Sequence, residues 1–270
     1  EKFNSYNISF HDFIVSCYNQ NMKKSILFLC VLVVFFLAGC TQNIDPVVFS
    51  ISGVSVVTPS KKIAYQGYWP DGKLCVVKKD NEFQMFWGEA DSYRTTANTT
   101  LVEDHVDKVL AENRVFGKNS SEAKIKNINE NGSWFIGVFP LDDKGHYVGF
   151  FHGESHWNND GVAHKSIGVA YSDDYGKTWK DSAPIIVDSP KPSNPDWSGL
   201  GDGCVIWDHI NNRWVCYYQG KVPWRSNSIC MAVSYDPKAA SGTWKKWDGS
   251  DFTVDAYDEN TGKGDVRHVL

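Results

Sequence analysis

The sequence predicts an all-β fold built from repeated antiparallel sheets, and three observations support this. Aromatic residues are frequent, with 11 Trp, 12 Tyr and 15 Phe among 270 residues, and aromatic and β-branched residues favour strands. Short runs of such residues alternate with turns rich in Gly, Asn and Asp. Several short phrases also recur in one order about every 65 residues, which is typical of a repeat architecture.

The clearest repeated phrase occurs three times, as FWGE at 86–89, FHGE at 151–154 and YQGK at 218–221. Its spacings are 65 and 67 residues. A second phrase, TWK, occurs at 178–180 and again at 243–245, an offset of 65. Phrases that recur in the same order at nearly one period indicate structural units of that length.

Each unit contains strand-like runs separated by turn residues. In the first unit, strands are predicted at 73–78 and 83–87, before a longer polar excursion through 94–132. In the second unit, they are predicted at 134–141, 147–152, 166–171 and 184–187. In the third unit, they are predicted at 204–207, 213–219, 229–234 and 244–247. Four hairpin-connected strands per unit, with no convincing helix, describe a blade of a β-propeller.

The number of units is smaller than a closed ring needs. Residues 61–270 hold about three blades at this period, whereas closed propellers have about 4–8. Residues 264–270 look like the first strand of another blade. We therefore expect about three four-stranded blades of a five- or six-bladed ring, incomplete at the C-terminus.

The N-terminal region has the features of an export signal. Met22 is the first plausible initiator, and it is followed by two lysines and an apolar run at 25–37. This run is shorter than the roughly 20 residues that span a bilayer. LAGC at 37–40 resembles the lipobox of bacterial lipoproteins, which implies a lipid on Cys40 and removal of everything before it.

We therefore expect four segments along the chain. They are an upstream extension at 1–21, a lipoprotein signal peptide at 22–39, a lipidated cysteine and tether at 40–60, and a propeller at 61–270. The expected location is the bacterial cell envelope, with membrane contact through the lipid anchor only.

Charge and cysteine patterns argue against several classes of partner. The net charge is −5 and no run of basic residues is longer than a pair such as Lys23 and Lys24, so no nucleic-acid partner is expected. After Cys40 the cysteines show no CxxC pair and no His at metal spacing, so no metal site is expected. These thiols sit in apolar runs and are expected to be buried and unpaired. No cofactor is expected.

The segment 172–179 carries a recognisable motif. Its S-x-D-x-G-x-T-W pattern resembles the Asp-box of sialidase-like and BNR-repeat propellers, and it is formed by Ser172, Asp174, Gly176, Thr178 and Trp179. The resemblance implies a structural turn, in which Asp174 ties down the loop and Trp179 packs between strands. A degenerate copy follows at 234–244.

The wider pattern resembles five-bladed glycosidase-type propellers, including fructan- and arabinan-cleaving enzymes and mannoside phosphorylases. GDG at 201–203 followed by the aromatic strand at 213–218 looks like the strand-start carboxylate and second strand of those proteins. The resemblance covers about 200 residues, mostly as architecture. It implies a glycan ligand, and hydrolysis is favoured over phosphorolysis because no anion-binding cluster is evident.

Blade geometry selects the candidate catalytic residues. Antiparallel strands place the start of strand one and the end of strand two on the same face. Asp71 and Asp202 precede predicted inner strands, and Glu89 and Glu154 follow second strands. Glycoside hydrolysis needs two carboxyl groups roughly 5–10 Å apart. We expect Glu154 to be the acid, with Asp202 or Glu89 as base or nucleophile.

Other candidates surround these carboxylates. His152 and His156 flank Glu154 and could tune its pKa, and Gly153 could let a substrate approach the backbone. Further candidate binding residues are Asp71, Arg94 and Arg225 for polar groups of the ligand, and Trp87, Trp157 and Trp224 for stacking on sugar rings.

The same residues allow other interpretations. A carboxylate at a strand end is often a solvated or turn-capping group, and most aromatic rings belong to a core. A non-catalytic carbohydrate-binding propeller and a scaffold for protein partners therefore stay open beside the glycoside hydrolase.

Overall fold

A computed structural model describes residues 70–100, 104–105, 113–119, 123–156, 162–188, 198–221 and 228–258. These residues all belong to one compact unit, Val56–Leu270. They form thirteen β-strands. No helix in this part of the chain is long and apolar enough to cross a membrane. The expected upstream extension, signal peptide, Cys40 and tether lie outside the described residues.

The first blade is a four-stranded antiparallel sheet. It contains β1 (Cys75–Lys79), β2 (Glu82–Glu89), β3 (Asp91–Ala97) and β4 (Arg114–Gly117), in that spatial order. The polar excursion predicted through 94–132 therefore contains the end of β3 and all of β4. β3 is rich in polar residues, so its composition does not indicate a strand. In the structure it still alternates as a strand does, with Tyr93 and Thr95 buried and Arg94 and Thr96 partly exposed.

The second blade contains β5 (Gly132–Pro140), β6 (Tyr147–Ser155), β7 (His164–Ser172) and β8 (Lys180–Ile186). The third contains β9 (Ser198–Asp208), β10 (Arg213–Lys221), β11 (Ser228–Ser234), β12 (Trp244–Trp247) and β13 (Phe252–Asp255). Within each blade the strands pair antiparallel with their neighbours in sequence. The sequence did not predict β13.

The second and third blades meet along one short stretch of parallel strand pairing. His164 and Lys165 of β7 pair with Ser198 and Gly199 of β9. The described sheets do not close on themselves. The all-β prediction of about three blades from an incomplete β-propeller is therefore confirmed, with a fifth strand in the third blade.

Two apolar clusters lie between successive blades. One joins Phe86 and Phe116 of the first blade to Phe135, Phe151 and Trp179 of the second. The other packs β5 to β8 of the second blade against β9 to β12 of the third. In β6, adjacent Phe150 and Phe151 belong to different clusters, because successive side chains of a strand point to opposite faces. The second blade is thus buried on both faces.

The turn at 172–179 is held by side-chain acceptors. Asp174 accepts hydrogen bonds from the backbone N–H groups of Lys177 and Thr178 at 3.0 and 2.9 Å, and from the Thr178 hydroxyl at 2.7 Å. Trp179 is buried and donates from Nε1 to the Gly176 carbonyl at 3.1 Å. The turn therefore attaches an aromatic side chain to the core between the first two blades.

The degenerate copy keeps a similar arrangement despite its inserted residues. Asp236 accepts backbone hydrogen bonds from Lys238 and Ala240 at 3.2 and 2.8 Å. Trp244 is buried and donates from Nε1 to the Ala239 carbonyl at 3.1 Å.

Candidate functional site

A cavity of about 440 Å³ receives residues from all three blades. Its charged lining consists of Asp71, Lys73, Glu154, Lys165 and Asp202. Trp134 and His152 also line it. The structure therefore brings Asp71, His152, Glu154 and Asp202 together, as the sequence predicts, and adds Lys73, Trp134 and Lys165.

Glu154 lies near the end of β6 and is 6% exposed. Its Oε2 is 2.9 Å from Nε2 of His156, and its Oε1 is 3.5 Å from Nε2 of His152. Burial acts to raise the pKa of Glu154, but the contact with His152, the hydrogen bond from His156 and the nearby charge of Lys165 hold the pKa below its ordinary value. Glu154 is therefore a carboxylate at neutral pH, which argues against the acid role predicted for it.

Asp202 is placed by a β-bulge in β9. Gly201 pairs with Gln219 and Cys204 pairs with Tyr217, so Asp202 and Gly203 together oppose the single residue Tyr218. Asp202 has a φ of 47°, a left-handed conformation that Asp tolerates better than most residues. Bulges re-aim side chains beside functional sites. Asp202 thus lies within β9, whereas the sequence predicted that it precedes a strand.

The Asp202 carboxylate has two basic neighbours. Its Oδ1 is 3.3 Å from Nδ1 of His152, and its Oδ2 is 3.0 Å from Nζ of Lys165. The contact with His152, joined by the charge of Lys165, holds the pKa of Asp202 far below its ordinary range. About half of the side chain is exposed, so Asp202 offers a negative charge to the cavity.

His152 links the two carboxylates and is itself 5% exposed. It lies against the Trp134 ring, with centroids 5.1 Å apart. Gly201 leaves room for the His152 ring, because a Cβ at position 201 would lie 3.0 Å from both Cε1 of His152 and Cδ of Lys165. The imidazole is therefore held in place by its neighbours, and it is not an open contact for a ligand.

Glu89 lies at the end of β2, on the same side of the sheets as Glu154. The adjacent Ala90 carbonyl accepts the Ser133 N–H at 3.1 Å, and Gly132 pairs with Glu154 across β5 and β6. Burial and the charges of Asp71 and Asp91 raise the pKa of Glu89. Glu89 does not itself line the cavity among the described residues.

Two predicted binding residues are wrong. Trp87 has none of its surface exposed and stacks on Tyr93 with ring centroids 6.1 Å apart, so its ring is not accessible to a sugar. Arg94 donates from Nε to the Tyr175 carbonyl at 3.0 Å, inside the turn at 172–179. It therefore lies at the far end of the blade from Glu154.

One further expectation about this face is also corrected. A Cβ at Gly153 would lie 2.7 Å from the Asn129 side chain, so the space beside Gly153 is filled by the protein and not by a ligand. Asp91 is buried in β3, and its Oδ2 is 2.7 Å from Nε of Arg114. Asp91 therefore has a structural ion pair.

The remaining predicted contacts cannot be placed. Trp157, Trp224 and Arg225 lie outside the described residues. His156 lies beside Glu154, and the backbone N–H of His156 donates to Oδ1 of Asn131 at 2.9 Å. Within the described ranges, no group of three or more His, Cys, Asp or Glu side chains could hold a metal ion.

The sequence missed Trp134, Lys73 and Lys165, which lie at or next to the start of predicted strands. Trp134 was predicted as the first residue of a strand, and it is only partly buried and lines the cavity. Lys73 donates from Nζ to the Val205 carbonyl at 3.4 Å and contacts Sγ of Cys204 at 2.9 Å. Such pairings between blades have no local sequence signal.

Comparisons with known proteins give partial similarities. No protein-family profile matches the chain. A levanase from Bacillus sp. (strain L7) is 40% identical over 60 residues, which is 21% of this chain and 6% of that protein.

Solved structures resemble the chain at low sequence identity. An endo-1,4-β-xylanase from Bacteroides thetaiotaomicron is 18% identical over 70% of this chain and 56% of its own, with a TM-score of 0.43. A thermostable family-43 glycoside hydrolase is 14% identical over 71% and 58%, with a TM-score of 0.44. Drosophila Semaphorin 2a is 16% identical over 60% and 27%, with a TM-score of 0.33. The chain thus spans less than two thirds of each of these proteins.

Proposed function

We propose that this chain acts on glycans and that the cavity around Glu154, His152 and Asp202 is its sugar site. The proposed chemistry is hydrolysis of a glycosidic bond by carboxylate acid–base catalysis. The observation that carries the proposal is the placement of two ionised carboxylates, from different blades, on opposite sides of one buried imidazole.

The separation of these carboxylates suits the reaction. Because the His152 ring spans the gap, Oε1 of Glu154 and Oδ1 of Asp202 are no more than about 9 Å apart. Glycosidases hold their two carboxyl groups roughly 5–9.5 Å apart. Both carboxylates can therefore contact one sugar bound in the cavity that they line.

The charge states suggest how the roles are divided. Glu154 and Asp202 have lowered pKa values, which suits a base, a nucleophile or a group that stabilises positive charge in the transition state. Glu89 has a raised pKa, which suits an acid that must keep its proton. We therefore propose Glu89 as the acid in place of Glu154, for a ligand that extends past the described cavity lining toward the end of β2.

The cavity also has the size and lining of a sugar subsite. Its volume of about 440 Å³ falls within the roughly 300–1,000 Å³ of small-ligand pockets. Trp134 provides an aromatic surface beside charged and polar groups, a combination that suits the apolar face and the hydroxyl groups of a sugar. The short levanase similarity and the glycosidase-type sequence pattern support the same ligand class.

A non-catalytic carbohydrate-binding protein is the alternative. One observation favours it: both carboxylates with shifted pKa values in the described lining are ionised, and a hydrolase also needs a protonated acid at hand. The two functions differ in whether Glu89, or a residue outside the described ranges, supplies that proton.

A screen of the whole purified protein against a glycan panel tests the proposal. Released sugars and binding heat would be measured separately on fructan, xylan, arabinan and other polysaccharides. Release from at least one glycan is the expected result. Binding without release would establish the carbohydrate-binding alternative, and neither binding nor release would overturn the glycan assignment.

The proposed setting is the bacterial cell envelope, with the protein attached through a lipid on Cys40. The support is the sequence at 22–40 alone. Metabolic labelling with a fatty acid, in a bacterial host and beside a Cys40→Ser variant, tests it. Labelling of the variant to the level of the wild type would contradict lipidation at this residue.

A further inference from the structure

The side chain of Trp134 lies against two glycines. Gly88 lies next to the last residue of β2, and Gly132 is the first residue of β5. A Cβ at Gly132 would lie 2.5 Å from both Cη2 and Cζ3 of Trp134, at the outer edge of the indole. A Cβ at Gly88 would lie 2.5 Å from Cα and 2.6 Å from Cδ1 of Trp134, at the base of the same side chain. The two glycines thus form a slot that holds this residue.

Space, and not backbone conformation, requires glycine at both positions. Gly88 and Gly132 are not among the glycines with a positive φ, so an alanine could adopt their backbone conformation. Ordinary contacts between non-bonded carbon atoms are about 3.5–4.0 Å long, well above the 2.5 Å that a Cβ would leave. An alanine at either position therefore has to displace Trp134.

The two glycines contact different parts of Trp134. The atoms next to Gly132 are at the far end of the side chain, which can rotate, so Gly132→Ala would move the ring and leave the strand in place. Gly88 lies against Cα of Trp134 as well, so Gly88→Ala would push β5 away from β2. Gly132 therefore determines where the ring lies, and Gly88 determines how closely the first blade approaches it.

Packing, and not a hydrogen bond, sets the orientation of the indole. Among the described residues, Nε1 of Trp134 has no hydrogen-bond partner. The ring also lies against the imidazole of His152, with centroids 5.1 Å apart. A change in the space beside the ring is therefore expected to change the direction in which it points.

We propose that Gly132 is a positioning residue for the glycan, because its missing side chain lets the Trp134 ring lie where a sugar in the cavity can pack on it. Trp134 lines that cavity, and the apolar face of a sugar ring is the ligand surface that suits an indole. Gly88 completes the slot from the first blade. The slot itself stands on geometry alone, whereas its role in sugar binding rests on the proposed function.

Crystal structures of the wild type and of Gly132→Ala test the slot without any ligand. In the variant, Cη2 and Cζ3 of Trp134 should lie at least about 3.5 Å from the added Cβ, with the indole rotated and the backbone of β5 in its wild-type position. An indole that keeps its wild-type orientation, whether or not the strand moves, would overturn the proposal.

Glycan affinity, measured by titration calorimetry on the whole protein, tests the positioning role. Gly132→Ala should weaken binding of the glycan found in the screen by about fivefold or more. A phenyl ring is shorter than an indole, so the same change made together with Trp134→Phe should cost less than about twofold relative to Trp134→Phe alone. Equal losses in the two backgrounds would show that Gly132 does not act through the indole, and would overturn the positioning role.

Failure of this proposal can be distinguished from failure of the proposed function. If the wild type binds no glycan, the proposed function fails and the sugar-binding role of the slot fails with it, while the crystal structures still decide whether Gly132 holds the ring. If the wild type binds a glycan and Gly132→Ala binds it equally tightly, the positioning role is wrong and the sugar site stands.

Discussion

Glu154 of β6 and Asp202 of β9 contact opposite nitrogens of the same imidazole ring, that of His152. The two contacts are 3.5 and 3.3 Å long, and they join the second blade to the third at the cavity. Because the three side chains come from two blades, the site depends on how the blades pack together.

Trp134 should contribute to ligand binding through its ring. Trp134→Ala is expected to weaken glycan binding by about tenfold or more, since aromatic pairs contribute about 0.5–1.5 kcal/mol beyond the area they bury. Trp134→Phe should retain most of the affinity. Titration calorimetry on the glycan found in the screen measures both, and equal affinity in Trp134→Ala would remove this ring from the site.

Trp179 should be essential for stability but not for chemistry. Its ring is 1% exposed and packs 5.0 Å from Phe135 and 6.2 Å from Phe86, between centroids. Trp179→Ala should lower the free energy of unfolding by about 3–5 kcal/mol, and Trp179→Phe by less. Urea denaturation followed by circular dichroism measures the loss. A decrease below about 1 kcal/mol would contradict the packing role.

Asp174 should stabilise the same turn through hydrogen bonds. Asp174→Ala would leave the Lys177 and Thr178 N–H groups without this acceptor, at an expected cost of about 1–3 kcal/mol. The matched change Asp143→Ala, at an exposed turn position, should cost little. Equal urea midpoints for the two variants would show that the Asp174 contacts are not stabilising.

His164 should make stability fall as pH is lowered. Burial lowers its pKa from 6.5 to about 4, so the unfolded chain binds a proton in this window while the folded protein does not. Stability from this residue is therefore intact above pH 6.5 and is lost as pH falls toward 4. The loss between pH 7 and 5 should be about 2 kcal/mol.

A substitution isolates this effect. His164→Asn should be less stable at neutral pH, because the contact of Nδ1 with the Ser198 hydroxyl at 3.0 Å is changed, but it should show a flatter pH dependence. His209→Asn, at an exposed position, should keep the wild-type slope. Urea midpoints at several pH values would contradict the account if His164→Asn and wild type had parallel curves.

The repeat and the aromatic and β-branched runs between turn residues were enough to predict the blades, because both can be read from the sequence itself. The second blade follows its predicted strands within a few residues at most ends. The first blade was harder, since β3 and β4 carry polar residues and pair through register shifts. Such strands are specified by their neighbours and not by their own composition.

The candidate site was predicted only in part from the order of the strands. Glu154 and Asp202 could be found because strand ends of successive blades meet on one face. Trp87 and Arg94 were misplaced, since the sequence does not say which face of a strand is covered by the next blade. Asp202 was predicted to precede a strand because its bulge, which lies between Gly201 and Cys204 of β9, cannot be recognised from residue type alone.

The most direct test of the proposed site is sugar release by two carboxylate variants and their matched controls. Glu154→Gln and Asp202→Asn should each reduce release by at least about 100-fold, while the folded spectrum is retained. Glu82→Gln and Asp143→Asn change exposed residues away from the cavity and should leave release unchanged. Wild-type release in both cavity variants would contradict the assignment of this cavity as the catalytic site.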